Sequence, residues 1–598
     1  MTRMKVVFAV LLLTAIVNFV PNVQAQAVQV IVAGSSAQWV AYALGAYNSG
    51  NCLAGATAPC AHYTNSSPGF NLVDNRPTVK SGGSAETDNG KIWIVWDSCV
   101  SSCGPSATAG PNVWAFISVD SGVGDRCYYA QPRCDVTVTT FPSAGNVISS
   151  SLWGDGSTDS TPPSSVQGLF TAGTLPVSAA ATDIRPEDAL FATCRANSKL
   201  GNGNGSTDGL GGLGYNSVNA SGACVAYKAT NTLTMLEGSD ILSGYPLSTS
   251  TAHLLEFAIS GKDPFTGTTI PVASTVEVGA APVTFVFSRS NALSGATNAT
   301  EAQLQTIFSG ANCNGNVVGG SGGPIQAILR EPTSGTMNTT EYTTFRYWNY
   351  SGASQETGVN AKNPLSAQAC PGGPTGGIRS RAIGTSEEVK SVLNSNTNDS
   401  IDGIGYTFFS YGNVSSIANN SAYGYLTLDG VDPIFHIYYT SGTPVDPGQP
   451  ATSGVLPAAA NLPAACAGAF PCPEGDIWSG HLSFPNVRNG SYKAWSLLRA
   501  VSNGTALTAL ETLVKSSNTY VVTSEPDYVP FAKVGTTDPG LALLRSHFLQ
   551  ESVAPNNVTD RGGDVGGCIL TSTGIVTTSD TTTSLIQQAV GTGCIVKP

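Results

Sequence analysis

Arg330 stands four residues ahead of Ser334, Gly335 and Thr336 in the stretch ILREPTSGTMNTTEYTTF, residues 328–345. If the chain turns at Thr333 and Ser334 and a helix opens near Gly335, the first-turn N–H groups have no intrahelical acceptor and sit at the positive end of the helix dipole. An anion fits there. Gly335 lets a ligand approach the backbone, and Ser334 and Thr336 add hydroxyl donors. Arg330, at the end of the preceding strand, offers an oxyanion a bidentate, charge-assisted contact. The competing reading is that Ser334 only caps the helix and Arg330 pairs with Glu331 or another acid. Nucleophilic chemistry has one literal motif, GGSGG at 319–323, which matches G-x-S-x-G. No apolar strand runs directly into it and no histidine stands out as its partner, so it does not read as a nucleophile elbow. The five histidines, His62, His253, His436, His481 and His547, form no H-E-x-x-H pair, which argues against a metallohydrolase. His547 reads as a structural hydrogen-bonding group. The expectation is a protein that is not an enzyme and uses no cofactor or metal.

The elements that must position these residues alternate. VQVIVAGSSAQWVAYALGAY reads as a strand from Val28 to Ala33, a Gly-Ser-Ser turn and a helix with Trp39, Ala43 and Tyr47 on one face. PPSSVQGLF opens a short helix on prolines, and LPVSAAATDIRPEDALF reads as a buried strand, a turn and a helix. APVTFVFSRS suits a strand. TEAQLQTIFSG carries a Thr300/Gln303 capping box and a stop at Gly310. PIQAILR leads into the Arg330 motif, EEVKSVLN reads as a helix, and GIGYTFFSYG as a strand. Such alternation predicts an α/β architecture.

The ordered set VAGSSA, AAATDIRPEDA, EAQLQTIFSG, LREPTSGT and DGIGYTFFSYG resembles the phosphate-binding proteins of bacterial phosphate ABC transporters, within the type II periplasmic binding protein fold. The likeness covers mainly 28–50, 150–192 and 275–430. It implies a two-lobed molecule with an oxyanion, inorganic phosphate above all, held in the cleft, and an ABC transporter membrane complex as a partner. Carried over by position, Ser36 and the Ala37 N–H come from the first turn, Asp183 from the TDIRP turn, and Arg330, Ser334, Gly335 and Thr336 from the second lobe. A serine-containing loop between the first turn and Asp183 is also implied, and Gly156 and Ser157 of GDGSTD are the candidates. Asp183 would accept the proton of monohydrogen phosphate; against fully ionised sulfate it would be left unsatisfied, at roughly 2–4 kcal/mol. Asp183 also suits a cap for a helix opening near RPEDA. Two departures stand out: Ala37 where the family often has an aromatic residue, and Pro332 where an acid is common.

Bulk properties agree with an exported chain. Arg3 and Lys5 precede an apolar run from Val6 to Val17 and small residues at Ala25 and Ala27, the pattern of a secretory signal. The mature protein is therefore expected to be soluble and periplasmic or secreted. A net charge of -12 with no Lys/Arg cluster argues against a nucleic-acid partner. The 41% apolar content argues against general disorder, while 67 glycines and 11% charged residues point to a loop-rich surface. Fourteen cysteines in an exported chain imply disulfides. By order the pairs are Cys52–Cys60, Cys99–Cys103, Cys127–Cys134, Cys194–Cys224, Cys313–Cys370, Cys466–Cys472 and Cys568–Cys594. The expected organisation is a signal at 1–27 and a first lobe over 28–280, with disulfide-pinned insertions at about 51–150 and 195–235. A second lobe follows over 281–400, then a return to the first lobe with C-terminal elaboration over 401–549 and a disulfide-closed tail at 550–598. The length and the pinned loops also leave open a secreted surface or interaction protein that has kept the fold and lost the ligand.

Overall fold

The computed structural model describes residues 27–48, 60–66, 69–75, 86–97, 112–153, 155–183, 215–218, 224–226, 268, 273–330, 334–345, 368–382, 384–398, 400–409, 416–417, 420–434, 492, 494–524, 528–530, 542–544, 568–571 and 574–577. The signal segment, the helix expected after Asp183, and the proline-rich stretch around 443–473 lie outside these residues.

The first elements are β1 (Ala27–Ser35), α1 (Trp39–Asn48), β2 (Ala61–Asn65), β3 (Lys91–Trp96), β4 (Asn112–Val119), α2 (Ser121–Tyr129) and β5 (Ala179–Thr182). The middle of the chain supplies β6 (Ser274–Ser288), α3 (Glu301–Phe308), β7 (Ile325–Arg330), α4 (Gly335–Thr340), β8 (Gln368–Ala369), β9 (Ile378–Ala382), α5 (Thr385–Asn398), β10 (Asp402–Phe408) and β11 (Tyr423–Tyr425). Two late elements, β12 (Trp495–Ser502) and α6 (Gly504–Ser524), return to the first part of the molecule.

The main sheet runs β8-β9-β7-β10-β6-β12-β5-β1-β4-β3-β2, with β11 also paired to β6. The long strand β6 joins its two halves. From Ser274 to Pro282 it pairs antiparallel with β12, and from Val283 to Phe287 antiparallel with β10. Pro282, which has no N–H to donate, marks the change of partner. Each half is centred on a parallel triplet, β5-β1-β4 in one and β9-β7-β10 in the other.

Parallel strands are covered on both faces, and this is why their sequences are apolar without alternation. In β1, Val30 and Val32 point to the face covered by α1, whereas Ile31 and Ala33 join the opposite cluster with Val123 of α2. The antiparallel strand β6 is also apolar without alternation, with Val283, Phe285, Val286 and Phe287 all buried in the cluster that includes α1. Two glycines permit the close packing of helices here. A Cβ at Gly45 of α1 would collide with Ser517 of α6, and one at Gly124 of α2 would meet the backbone of Ala33 and Gly34. The capping box of α3 is formed as expected, with Gln303 N–H donating to Thr300 Oγ1 at 3.2 Å and Thr300 N–H donating to Gln303 Oε1 at 2.8 Å. Gly310 follows that helix with φ of 77°.

One expectation is corrected. Within 51–150, read as an insertion, β2, β3 and β4 are strands of the main sheet and β4 lies directly beside β1. KIWIVW and NVWAFISV are apolar on both faces and need covering layers, which an isolated surface loop could not supply. The cysteine-rich segments connect these strands. Cys127–Cys134 and Cys313–Cys370 are bridged as paired by order, and Cys60 is also disulfide-bonded. Every other expected pair has at least one member outside the described residues. The GGSGG motif lies in the turn region before β7; Ser321 Oγ donates to the Asn291 carbonyl at 2.7 Å, so no strand-to-helix elbow exists there.

Candidate functional site

The carboxyl ends of the two parallel triplets face each other, the position at which open α/β sheets hold ligands. In the first half, the penultimate residue of β1 is Gly34, whose φ of +138° suits glycine; a Cβ would run into the Ala181 carbonyl of β5. Ser35 then caps the turn by accepting the Ala37 N–H at 3.3 Å. Ser36 is exposed and Ala37 half-buried at the same turn. Gln38, which sequence reasoning passed over, locks the turn in place. Its amide donates to the carbonyls of Thr182 at 3.3 Å and Arg499 at 3.1 Å, and its oxygen accepts from Tyr42 at 2.7 Å.

Asp183 follows β5 and is 2% exposed. Its Oδ1 accepts from the hydroxyl of Ser121, the first residue of α2. The helix is carried there by β4, whose end lies level with the end of β1 through the Ser35–Val119 pairing. Ser121 is thus the serine that meets Asp183 between the first turn and β5. Gly156 and Ser157 are not brought to Asp183: Ser157 Oγ instead lies 2.8 Å from His62 Nε2 and 3.1 Å from Tyr47 Oη. Chain order alone suggested Ser157. The signal that could have found Ser121 was FISVDSGVGD, an apolar strand running into a Ser-Gly helix start like that of VAGSSA.

In the second half, Arg330 is the last residue of β7 and 4% exposed. One terminal nitrogen donates to Thr385 Oγ1 at 3.0 Å and to Thr336 Oγ1 at 3.5 Å, and Nε is 3.9 Å from Glu388 Oε2. The backbone is held as well: its N–H donates to Tyr406 Oη at 3.1 Å, and its carbonyl accepts from Arg381 at 2.6 Å. Glu388 Oε1 accepts the Tyr406 N–H at 2.8 Å, so the acid beside Arg330 is fixed from α5. Glu331 lies outside the described residues. Ser334 caps α4 by accepting the Met337 N–H at 3.3 Å. The helix continues as a π-turn over Glu341–Phe345.

The two sets meet at Gly335. A Cβ there would coincide with the Asp183 carboxylate, so only glycine lets this carboxylate lie against the start of α4. Thr339 Oγ1 of the same helix donates to the Asp183 carbonyl at 3.1 Å. Burial pushes Asp183 up to about 6, against the pull of the Ser121 hydroxyl and the Arg330 charge. Asp125, buried in α2, accepts from Thr182 Oγ1 at 2.9 Å. Burial raises it well above the usual carboxylate range, and the Asp183 charge adds to that. Asp183, Arg330, Ser334, Gly335, Thr336 and the Ser36–Ala37 turn therefore lie at the facing ends of the two triplets. They are joined by Ser121, Thr385 and Glu388. The set pairs a guanidinium and hydroxyl donors with two carboxylates: Glu388, beside Arg330 and held by the Tyr406 N–H, and Asp183, which can accept from an oxyanion that still carries a proton.

Residues 258–443 match the family model of a PBP superfamily domain. No curated protein matches the chain. Among solved structures, a phosphate ABC transporter substrate-binding protein with bound phosphate from Clostridium perfringens is 17% identical, covering 42% of this chain and 70% of that one, with a TM-score of 0.25. A high-affinity periplasmic phosphate-binding protein of the DING type is 13% identical over 84% of this chain and 90% of that one, at 0.29. A phosphate-binding protein from Stenotrophomonas maltophilia is 13% identical over 72% and 80%, at 0.28. The family match spans β6 to β11, within the α/β sheet that carries both parallel triplets.

Proposed function

We propose that this chain is an exported solute-binding protein that takes inorganic phosphate in the cleft between the two triplets, for delivery to an ABC transporter or for sensing. The observation that carries this reading is the contact of Asp183, from one half, with Gly335, from the other, beside the buried Arg330. A carboxylate next to an anion site repels most oxyanions, and it favours one that has a proton to give. With Asp183 near 6, its charged, accepting form dominates at neutral pH, where phosphate still carries such a proton. Ser121, Ser334 and Thr336 add hydroxyls at the helix starts, where backbone donors and dipoles favour negative charge. The family matched over 258–443 is one of binding domains, and the cleft is read accordingly as a site that binds and releases without chemistry.

A second reading has its own support. Arg330 is already within reach of Thr385, Thr336 and Glu388, a self-contained network suited to a protein that keeps the fold for surface interactions. Equilibrium dialysis of the purified chain against labelled phosphate, with sulfate as competitor, separates the two. Saturable phosphate binding that sulfate does not displace supports the first reading; absence of binding supports the second.

A further inference from the structure

Remote from the cleft, three segments bring a serine, a histidine and an aspartate into line. His62 lies on the edge strand β2, three strands from β1 and so about 14 Å away by strand spacing. Its Nε2 is 2.8 Å from Ser157 Oγ, and its Nδ1 is 3.0 Å from Asp159 Oδ1. Asp159 is held as an anion. Burial would raise it, but hydrogen bonds from His62, Thr64 and Asn146 outweigh that and keep it below the usual carboxylate range. The carboxylate only accepts, so Nδ1 carries the proton and Nε2 offers its lone pair to the Ser157 hydroxyl.

The surroundings fix the base and leave the nucleophile reachable. The His62 ring is 1% exposed, stacked on Trp153 with centroids 3.8 Å apart and met edge-on by Tyr47 at 4.9 Å. Asp159 Oδ2 accepts from Thr64 N at 2.9 Å, Thr64 Oγ1 at 2.6 Å and Asn146 N at 2.7 Å. Ser157 is half-buried between exposed Gly156 and Thr158, and a Cβ added at Gly156 would meet nothing within 4 Å. The space above the loop is therefore open. The Thr158 N–H, directly after the serine, has no acceptor among the described residues and stands where a serine nucleophile's oxyanion donor is commonly found.

We propose that Ser157, His62 and Asp159 form a nucleophilic site that cleaves uncharged or cationic carboxylic esters. Nucleophile, base and orienting acid are within the hydrogen-bond distances that define such a triad, which is recognised by geometry and not by chain order. The charge preference follows from Asp155. Its carboxylate accepts from Ser157 N at 2.8 Å and Tyr47 Oη at 2.6 Å, and so stands beside the nucleophile and repels phosphate monoesters and other anions. Ser157 Oγ bonds to the ester carbonyl carbon as its proton passes to His62 Nε2. The ester C–O bond then breaks, and the alkoxide leaves with that proton. Water attacks the acyl-serine, returning a proton through His62 to Ser157 and releasing the carboxylic acid. Asp159 touches no substrate; it positions His62.

The test uses the full chain and a neutral dialkyl fluorophosphate, which loses fluoride on attack by an activated serine. Peptide mass mapping should find one adduct, on Ser157. His62→Gln should slow its formation by at least about a hundredfold. Asp159→Asn should lower the limiting rate without changing the probe concentration at half-saturation, a separation that a merely structural role would not produce. No adduct on the native protein, or an adduct spread over several serines, overturns the proposal whatever the variants do. Equal labelling by a His62→Gln protein with native circular dichroism overturns it as well. The outcome is independent of phosphate binding, because Ser157 makes no contact with the cleft residues.

Discussion

The cleft and the His62 cluster each contain a buried aspartate, and the two are treated in opposite ways. Asp159 receives one imidazole donor, two backbone N–H groups and a hydroxyl. Those bonds outweigh its burial and hold it below the usual range. Asp183 receives the Ser121 hydroxyl and lies against Gly335, and there burial wins, pushing it up to about 6. Asp183 is also the more deeply buried of the two, so the balance of hydrogen bonds against desolvation sets the direction in which each carboxylate is shifted. Asp159 holds a neighbour in place, and Asp183 is the group that the proposed function assigns to a ligand.

The largest effect that would sharpen this contrast is expected from Gly335→Ala. A side chain at 335 can be housed only by displacing the Asp183 carboxylate, so phosphate affinity should fall by more than about a hundredfold. Labelling of Ser157 by the fluorophosphate should be unchanged. Dialysis and mass mapping on the same sample check both, and retained phosphate affinity would break the assignment of Gly335 to the contact. Arg330→Ala comes next. Removing a charge-assisted contact from a site where the arginine is 4% exposed should weaken phosphate binding by at least about 2–3 kcal/mol, or roughly 30- to 150-fold.

Asp183→Asn should narrow the preference for phosphate over sulfate by about tenfold, since an amide can donate to a fully ionised oxyanion. An unaltered ratio would make Asp183 purely structural. The same variant has a pH signature. The folded-state value of about 6 lies above that of an ordinary aspartate, about 4, so between the two the folded chain holds a proton the unfolded chain has released. This contribution to stability is complete below about pH 4 and is lost as pH rises through 6. Ligand-free Asp183→Asn should therefore unfold later than the parent at pH 7.5, by up to roughly 3 kcal/mol, and show no such gain at pH 4. Thermal unfolding at the two pH values tests the sign. Ser121→Ala is the smallest change. Loss of one hydroxyl donor to a buried carboxylate should weaken phosphate binding by about 1 kcal/mol and raise the pH at which Asp183 titrates.

Local chemistry made one side of the cleft legible in advance. Arg330, Ser334, Gly335 and Thr336 are near neighbours in the chain, and a strand end followed by a helix start places them together whatever else the molecule does. Asp183 was legible only through the order of motifs, because nothing near it in the chain shows that Gly335 lies on the other side. Ser121 was hidden inside a cysteine- and glycine-rich region. Its strand, β4, joins the sheet beside β1 and carries the helix start to Asp183. His62 looked like one of five scattered histidines, because its partners are 95 and 97 residues away.

By itself the amino-acid sequence determined the apolar strands, the capping box of α3, the glycine turns and the placing of Arg330 beside the start of a helix. Each depends on residues a few positions apart, where backbone geometry and side-chain type act directly. Tertiary structure alone decided which strand lies beside β1, which serine meets Asp183, and that Ser157 faces His62. Those choices depend on how sheets bury both faces and which strand ends come level, and the separation of residues along the chain does not record either.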